Sequence, residues 1–235
     1  MFVPVRDFNP LTSIPFQYVT VGLIAANIIV FILTATKIDG QTAASFALVP
    51  GELFHEGIFG AQITTDRFDS VPLPERWTLL SYMFLHGGVL HIGGNMLFLW
   101  VFGDNVEDAM GHVKFLIFYL LCGVFAGLMH AWMLPNSGAP LIGASGAVAG
   151  VVAAYLILHP RVSVWVLFAR FFPLKVPAAW ALGAWAAMQF VLAFTAIGTP
   201  VAWWAHVGGL IAGAVLVVFM RRPGVKLFDK SPTGD

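Results

Sequence analysis

Apolar runs of membrane length recur six times along this chain, at about residues 16–36, 88–102, 113–134, 140–158, 176–197 and 201–220. A helix crossing the hydrocarbon core of a bilayer needs roughly 20 such residues, with a range of about 17 to 25. Each must close its own backbone hydrogen bonds, because lipid offers none. The second run is short unless residues 82–87 belong to it. The runs are separated by breaker chemistry: Gly-Asp-Asn at 103–105, Pro-Asn-Ser-Gly-Ala-Pro at 135–140, His-Pro-Arg at 159–161 and Gly-Thr-Pro at 198–200. This pattern predicts an all-α membrane protein, a bundle of six transmembrane helices. Residues 162–172 are also apolar, but they carry Arg170 and precede Pro173, and they read as a loop or interfacial piece. Composition agrees: 59% of the residues are hydrophobic and 10% charged, against about 25% charged in an ordinary soluble domain.

Charge sets the orientation. Twelve basic and twelve acidic residues cancel, which leaves no electrostatic case for nucleic acid. With the N-terminus inside, the inner segments hold Arg6, Lys114, Arg161, Arg170, Lys175, Arg221, Arg222, Lys226 and Lys230. The outer ones hold Lys37, Arg67 and Arg76. That asymmetry satisfies the positive-inside tendency and predicts both termini in the cytoplasm. The expected division is a cytoplasmic segment 1–15, a membrane domain 16–220 with a loop 37–76 at the outer surface, and a short, disordered cytoplasmic tail 221–235. Cys122, the one cysteine, excludes an intrachain disulfide framework. A cleavable signal peptide is not expected, because the first run continues past signal length without a clear cleavage site.

Depth then singles out a few side chains. The fourth run enters from the outer side, and Ser145 lies five residues past Pro140, roughly 7–8 Å along a helix. The sixth enters the same way and carries His206 six residues past Pro200, roughly 9 Å in. His86, His91 and Asn95 occupy the outer half of the second run. Three helices thus bring a hydroxyl, three imidazoles and an amide to one level. Taken singly, the small residues of GASGAVAG (143–150) and AHVGGLIAG (205–213) signify close helix packing. His112, His130 and His159 read as helix-end or interfacial residues. An ionisable His206 within a span is a functional hypothesis by default.

The acids lie elsewhere. Glu52, Glu56, Asp66, Asp69 and Glu75 fall in the first loop, and Asp104, Glu107 and Asp108 follow the second run. A Ser-His-Asp triad needs a buried acid, so serine chemistry here implies a dyad. No metal site is expected. His86 and His91 are five apart, about 140° around a helix, which is not the i, i+4 pair of a helical metal motif. His91 and Asn95 do share a face and suit an oxyanion hole together with the Ser145 N–H. His206 suits the general base. Gly143 and Gly146 leave room at the nucleophile, and Gly209 and Gly213 let the sixth helix close on the fourth.

HGGVLHIGGN (86–95), GASG (143–146) and AHVGG (205–209), in that order on six spans, resemble the rhomboid family of intramembrane serine proteases. The similarity covers roughly residues 44–220. FALVPGEL in the first loop and GDNVEDAMGH after the second span resemble bacterial members. The resemblance implies Ser145 as nucleophile, His206 as base, His91 and Asn95 in the oxyanion hole, and His86 as a structural or hydration residue. It also implies cleavage of single-span or polytopic membrane proteins in or beside their transmembrane segments, without metal or other cofactor. The expected setting is a bacterial plasma membrane, with the site opening to the extracytoplasmic side. Two features depart from the family pattern. Ala149 stands where many members place an aromatic residue against the catalytic histidine, so that Trp203 or Trp204 is expected to help hold His206. Arg76-Trp77-Thr78 stands where members often show Trp-Arg. The first loop, including the amphipathic stretch 46–60, is expected to be partly embedded and to flank substrate, and the glycine-poor fifth helix to yield to it. The alternative function is a non-catalytic, rhomboid-like client-binding protein; such relatives usually lack the nucleophile or the base, which this chain retains. A proton-relay transporter is disfavoured, since no span holds a carboxylate.

Overall fold

A computed structural model describes residues 2–55, 71, 73–168, 172–196 and 201–229. Its helices are α1 (Tyr18–Thr36), α2 (Gly40–Ala44), α3 (Pro50–His55), α4 (Thr78–Ser81), α5 (Val89–Met110), α6 (His112–Met133), α7 (Ser145–Leu158), α8 (Ala178–Thr195) and α9 (Trp203–Met220). Its strands are β1 (Phe2–Asp7), β2 (Ser163–Phe168) and β3 (Phe172–Pro177). Helices α1, α6, α8 and α9 are long and apolar enough to cross a membrane. A fifth such unit arises if the bent pair Glu75–Phe84 and Val89–Met110, which turns through 84°, is one span. Helix α7 is apolar but has only 14 residues, about 21 Å at 1.5 Å per residue.

Helix α7 is short because its approach is not helical. Residues 140–144, expected to begin the fourth helix, pair with loops instead. Leu48 and Leu141 exchange both backbone hydrogen bonds at 3.1 and 2.8 Å, and the Gly143 N–H donates to the Tyr82 carbonyl at 2.9 Å. Gly143 sits at φ +116°, a conformation open to glycine and strained for other residues. Ser145 is therefore the first helical residue, not one placed a turn and a half below the start. From Gly146 to Tyr155 every residue of α7 is buried, as befits a helix apolar all round. It meets α9 at backbone distance: a Cβ on Gly209 would run into the Gly146 carbonyl, and one on Gly213 into that of Gly150.

The first loop is packed on the bundle. Leu48 and Leu53 are fully buried, the Gly51 N–H bonds the Ser137 carbonyl at 3.0 Å, and the Ser81 hydroxyl bonds the Phe46 carbonyl at 2.7 Å. Residues 56–60 of the amphipathic stretch lie outside the described residues, as do Arg170 and the break at 198–200.

Four expectations need correction. The fold is not all-α: β1, β2 and β3 form an antiparallel sheet in that order. Much of the segment 162–172 is strand, its Val164 and Val166 buried on one face with the period of two that a half-covered strand requires. The break at 103–105 is helical, since α5 runs on to Met110 and carries Asp104, Glu107 and Asp108 within it. Two of these carboxylates tie α5 to the N-terminal segment and α1. Asp108 accepts from the N–H groups of Thr12, Ser13 and Ile14 and the Thr12 hydroxyl at 2.7–3.1 Å. Glu107 accepts from the Val19 and Thr20 N–H groups and the Thr20 hydroxyl at 2.7–3.0 Å, capping α1, and pairs with His112 at 2.5 Å. The tail, finally, is ordered over its described residues, 221–229. The Arg222 N–H bonds the Ala109 carbonyl, and those of Phe228 and Asp229 bond the Ile157 and Leu158 carbonyls at 2.7–3.1 Å, satisfying helix ends that would otherwise lack partners.

Candidate active site

The start of α7 and the first turn of α9 face each other across the glycine contact, and this brings Ser145 to His206. The Ser145 hydroxyl lies 2.9 Å from Nε2 of His206. It is not spent on capping, because Ala144 is the N-cap and makes no side-chain bond. The N–H groups of Ser145, Gly146 and Ala147 open the helix without intrahelical acceptors. The other nitrogen of His206, Nδ1, lies 2.8 Å from Oε1 of Gln189 on α8. An amide oxygen only accepts, so Nδ1 carries the proton and Nε2 offers its lone pair to the serine.

The second group of imidazoles lines the same place. His86 precedes α5 rather than lying on it, so the helical angle expected between His86 and His91 does not apply. Their rings meet edge to face, with centroids 5.0 Å apart. Nδ1 of His86 faces the Phe84 carbonyl at 3.3 Å. Its Nε2 therefore accepts, from the Asn95 amide at 3.0 Å and the Ala144 N–H at 3.5 Å. His86 is thus the anchor that fixes the Asn95 side chain and the residue before the serine. In His91, Nδ1 accepts from the Gly87 N–H at 3.4 Å, which leaves Nε2–H as a donor. That nitrogen occupies the space over Gly143, 2.6 Å from where a Cβ would stand, with Asn95 Nδ2 at 3.8 Å. Gly143 therefore serves twice, for its backbone turn and for the room its missing side chain leaves. A Cβ on Gly146 would strike Ala126 at 2.5 Å.

Ser145, His206, His91, Asn95, His86, Gly143, Gly146 and Gly209 are all brought together. The sequence reading missed Gln189, whose only signal was a lone amide in an otherwise apolar run. The aromatic side chains around His206 are also settled: Trp203 meets the ring edge-on at 5.8 Å and Trp185 lies tilted at 6.3 Å, whereas Trp204 pairs with Phe194. His112 belongs to the Glu107 pair, and His159 meets the Tyr155 ring edge to face at 5.4 Å.

Fold and site together define an integral membrane protein whose short central helix opens on a serine held against a histidine. The sequence matches the family model described as Rhomboid domain over residues 73–223, and the chain belongs to the rhomboid family. It is similar to RHOMBOID-like protein 6, mitochondrial, of Arabidopsis thaliana, at 30% identity over 63% of this chain and 45% of that protein. Rhomboid protein 1, mitochondrial, of Saccharomyces cerevisiae is 31% identical over 59% of this chain and 40% of its own length. Rhomboid protease GluP of Bacillus subtilis is 30% identical over 66% of this chain and 28% of its own length. The chain thus spans less than half the length of these three relatives. Mitochondrial proteins stand beside the bacterial one, so the expected bacterial plasma membrane has no support from the relatives.

Proposed function

We propose that this chain is a serine endopeptidase that hydrolyses peptide bonds in or next to transmembrane segments of membrane proteins. The observation that carries the reading is the 2.9 Å contact of the Ser145 hydroxyl with a histidine nitrogen whose tautomer leaves it free to accept. The Ser145 oxygen attacks the scissile carbonyl carbon while Nε2 of His206 takes its proton. The tetrahedral oxyanion is met by the Asn95 amide, His91 Nε2–H and the N–H of Ser145, donors already fixed by their own partners and so costing little reorganisation. His206 returns the proton to the leaving amine, and the acyl-enzyme is hydrolysed by water that gives its proton to the same nitrogen.

The layout we propose has six spans: α1, the bent α4–α5 unit, α6, α7, α8 and α9. Both termini and the sheet lie on the inner side, residues 37–76 form the outer loop, 16–220 the membrane domain, and 1–15 and 221–235 the inner segments. The distribution of lysine and arginine supports this. The short α7 then places its N-terminal site below the outer surface, within reach of water from that side. Helix α8, like α1, lies mostly outside the protein core, and its place beside the site supports entry of substrate there.

The test is cleavage of a single-span substrate by purified protein reconstituted in lipid vesicles. Wild type should cut, and Ser145→Ala and His206→Ala should not. A wild type that binds the substrate without cutting it would replace protease with client binding.

A further inference from the structure

We propose that Gln189 is the positioning residue of this site, its amide holding His206 in the one tautomer that can take the Ser145 proton; this rests on the protease reading above. Serine enzymes with a triad give that task to a carboxylate, and here the nearest group on the far side of the imidazole is a neutral amide.

The orientation of the amide follows from its neighbours. Its nitrogen donates to the Trp185 carbonyl at 3.1 Å, one turn back in α8. A carbonyl accepts only, so Oε1 is the atom turned to His206 Nδ1 at 2.8 Å. Reversing the amide would set its oxygen against the Trp185 carbonyl, acceptor against acceptor. Gln189 is 1% exposed, and the other residues on the buried face of α8 are Ala178, Ala181, Leu182 and Ala193. One amide is therefore carried into a face of small and apolar side chains. There an unpaired polar group is costly, and its Oε1 meets the imidazole.

A neutral acceptor suits the place. The amide fixes the tautomer without introducing a buried charge. The same helix also supplies the ring packing absent at Ala149. Trp185 packs against the small cluster of Ala149, Ala153 and Leu210 and lies tilted to His206 at 6.3 Å. Where the family resemblance leads one to expect an aromatic on α7, this chain has alanine on α7 and tryptophan on α8. The acceptor at Nδ1 and one of the two tryptophan contacts of the base thus come from α8, the other contact being Trp203 on α9, so a displacement of α8 loosens His206 directly.

The experiment compares full-length wild type, Gln189→Leu and Gln189→Glu in lipid vesicles. It is joined to 15N NMR of histidine-labelled protein, with His206 assigned by the signal missing in His206→Ala. Leucine keeps the bulk and removes the acceptor. It should lower kcat about 100-fold with KM changed less than about two-fold, while glutamate, which restores an acceptor, should recover most of the loss. Wild-type His206 should show one protonated nitrogen, Nδ1, and the leucine variant a mixture. A leucine variant with wild-type kcat would overturn the proposal, as would a loss that glutamate does not recover, or a wild-type His206 protonated at Nε2. The NMR result holds even if a variant fails to fold. A wild type that neither cuts nor reacts with a fluorophosphonate would defeat the protease reading itself, a separate result from a leucine variant as active as wild type.

Discussion

Both ends of α7 are polar, yet the two are built oppositely. At its start stand a hydroxyl, imidazoles and amides. At its far end the Tyr155 hydroxyl donates to Asp7 at 2.7 Å, near the carboxylates of α5. Asp108 and Glu107 each accept from three or more donors, so their lone pairs are committed to holding the N-terminal segment and α1. At the start of α7 the partners are few and directional, and they leave a lone pair, two side-chain N–H groups and open helix N–H groups facing one place. Saturated polar clusters hold a fold together; clusters with capacity to spare can act on a substrate.

The largest break in that comparison is Ser145→Ala, which should lower cleavage by about 10⁴-fold or more and leave the thermal midpoint near wild type. Equal loss of folding would make the hydroxyl structural. Glu107→Ala should do the reverse. It strands the Val19 and Thr20 donors and His112, and should destabilise the fold by about 3 kcal/mol while the surviving folded protein keeps its kcat. A thermal midpoint unchanged from wild type would contradict the saturated reading. Asn95→Ala removes one proposed oxyanion donor and should lower kcat about 100-fold, with KM nearly constant. A rise in KM at constant kcat would place Asn95 in ground-state binding instead.

The smallest effect concerns Asp7. Burial raises its carboxyl to about 6 from 3.8, against the opposing bond from Tyr155. Between those values the folded chain holds a proton that the unfolded chain has lost. Asp7 therefore makes stability decline as pH rises through about 6, and contributes no further slope above it. Asp7→Asn should flatten the change in thermal midpoint between about pH 4.5 and pH 7; an unaltered slope would assign it to another group.

Legibility in the sequence followed the reach of the interactions. Ser145, His206, His91 and Asn95 were readable because reactive residue types stand out in apolar runs. All six runs hold a helix. Ser145 was misplaced along its helix because the start of α7 is set by the Leu48–Leu141 pairing and the turn at Gly143, contacts between distant segments. The sheet escaped notice for the same reason: β1 and β2 lie some 160 residues apart, and an apolar strand pair resembles an interfacial loop. The carboxylates after the second run looked like loop residues until their partners, Thr12 to Ile14 and Val19 to Thr20, closed around them. Gln189 carried a signal, a single amide in a run of alanine and tryptophan, whose meaning depends on the histidine 17 positions on.

The most direct test of the central claim is covalent labelling by a fluorophosphonate in detergent, followed by peptide mapping of the modified residue. The label should sit on Ser145, vanish in Ser145→Ala and fall steeply in His206→Ala. Labelling of Ser145→Ala equal to wild type, or a label mapped elsewhere in the chain, would show that the hydroxyl at the start of α7 is not the nucleophile.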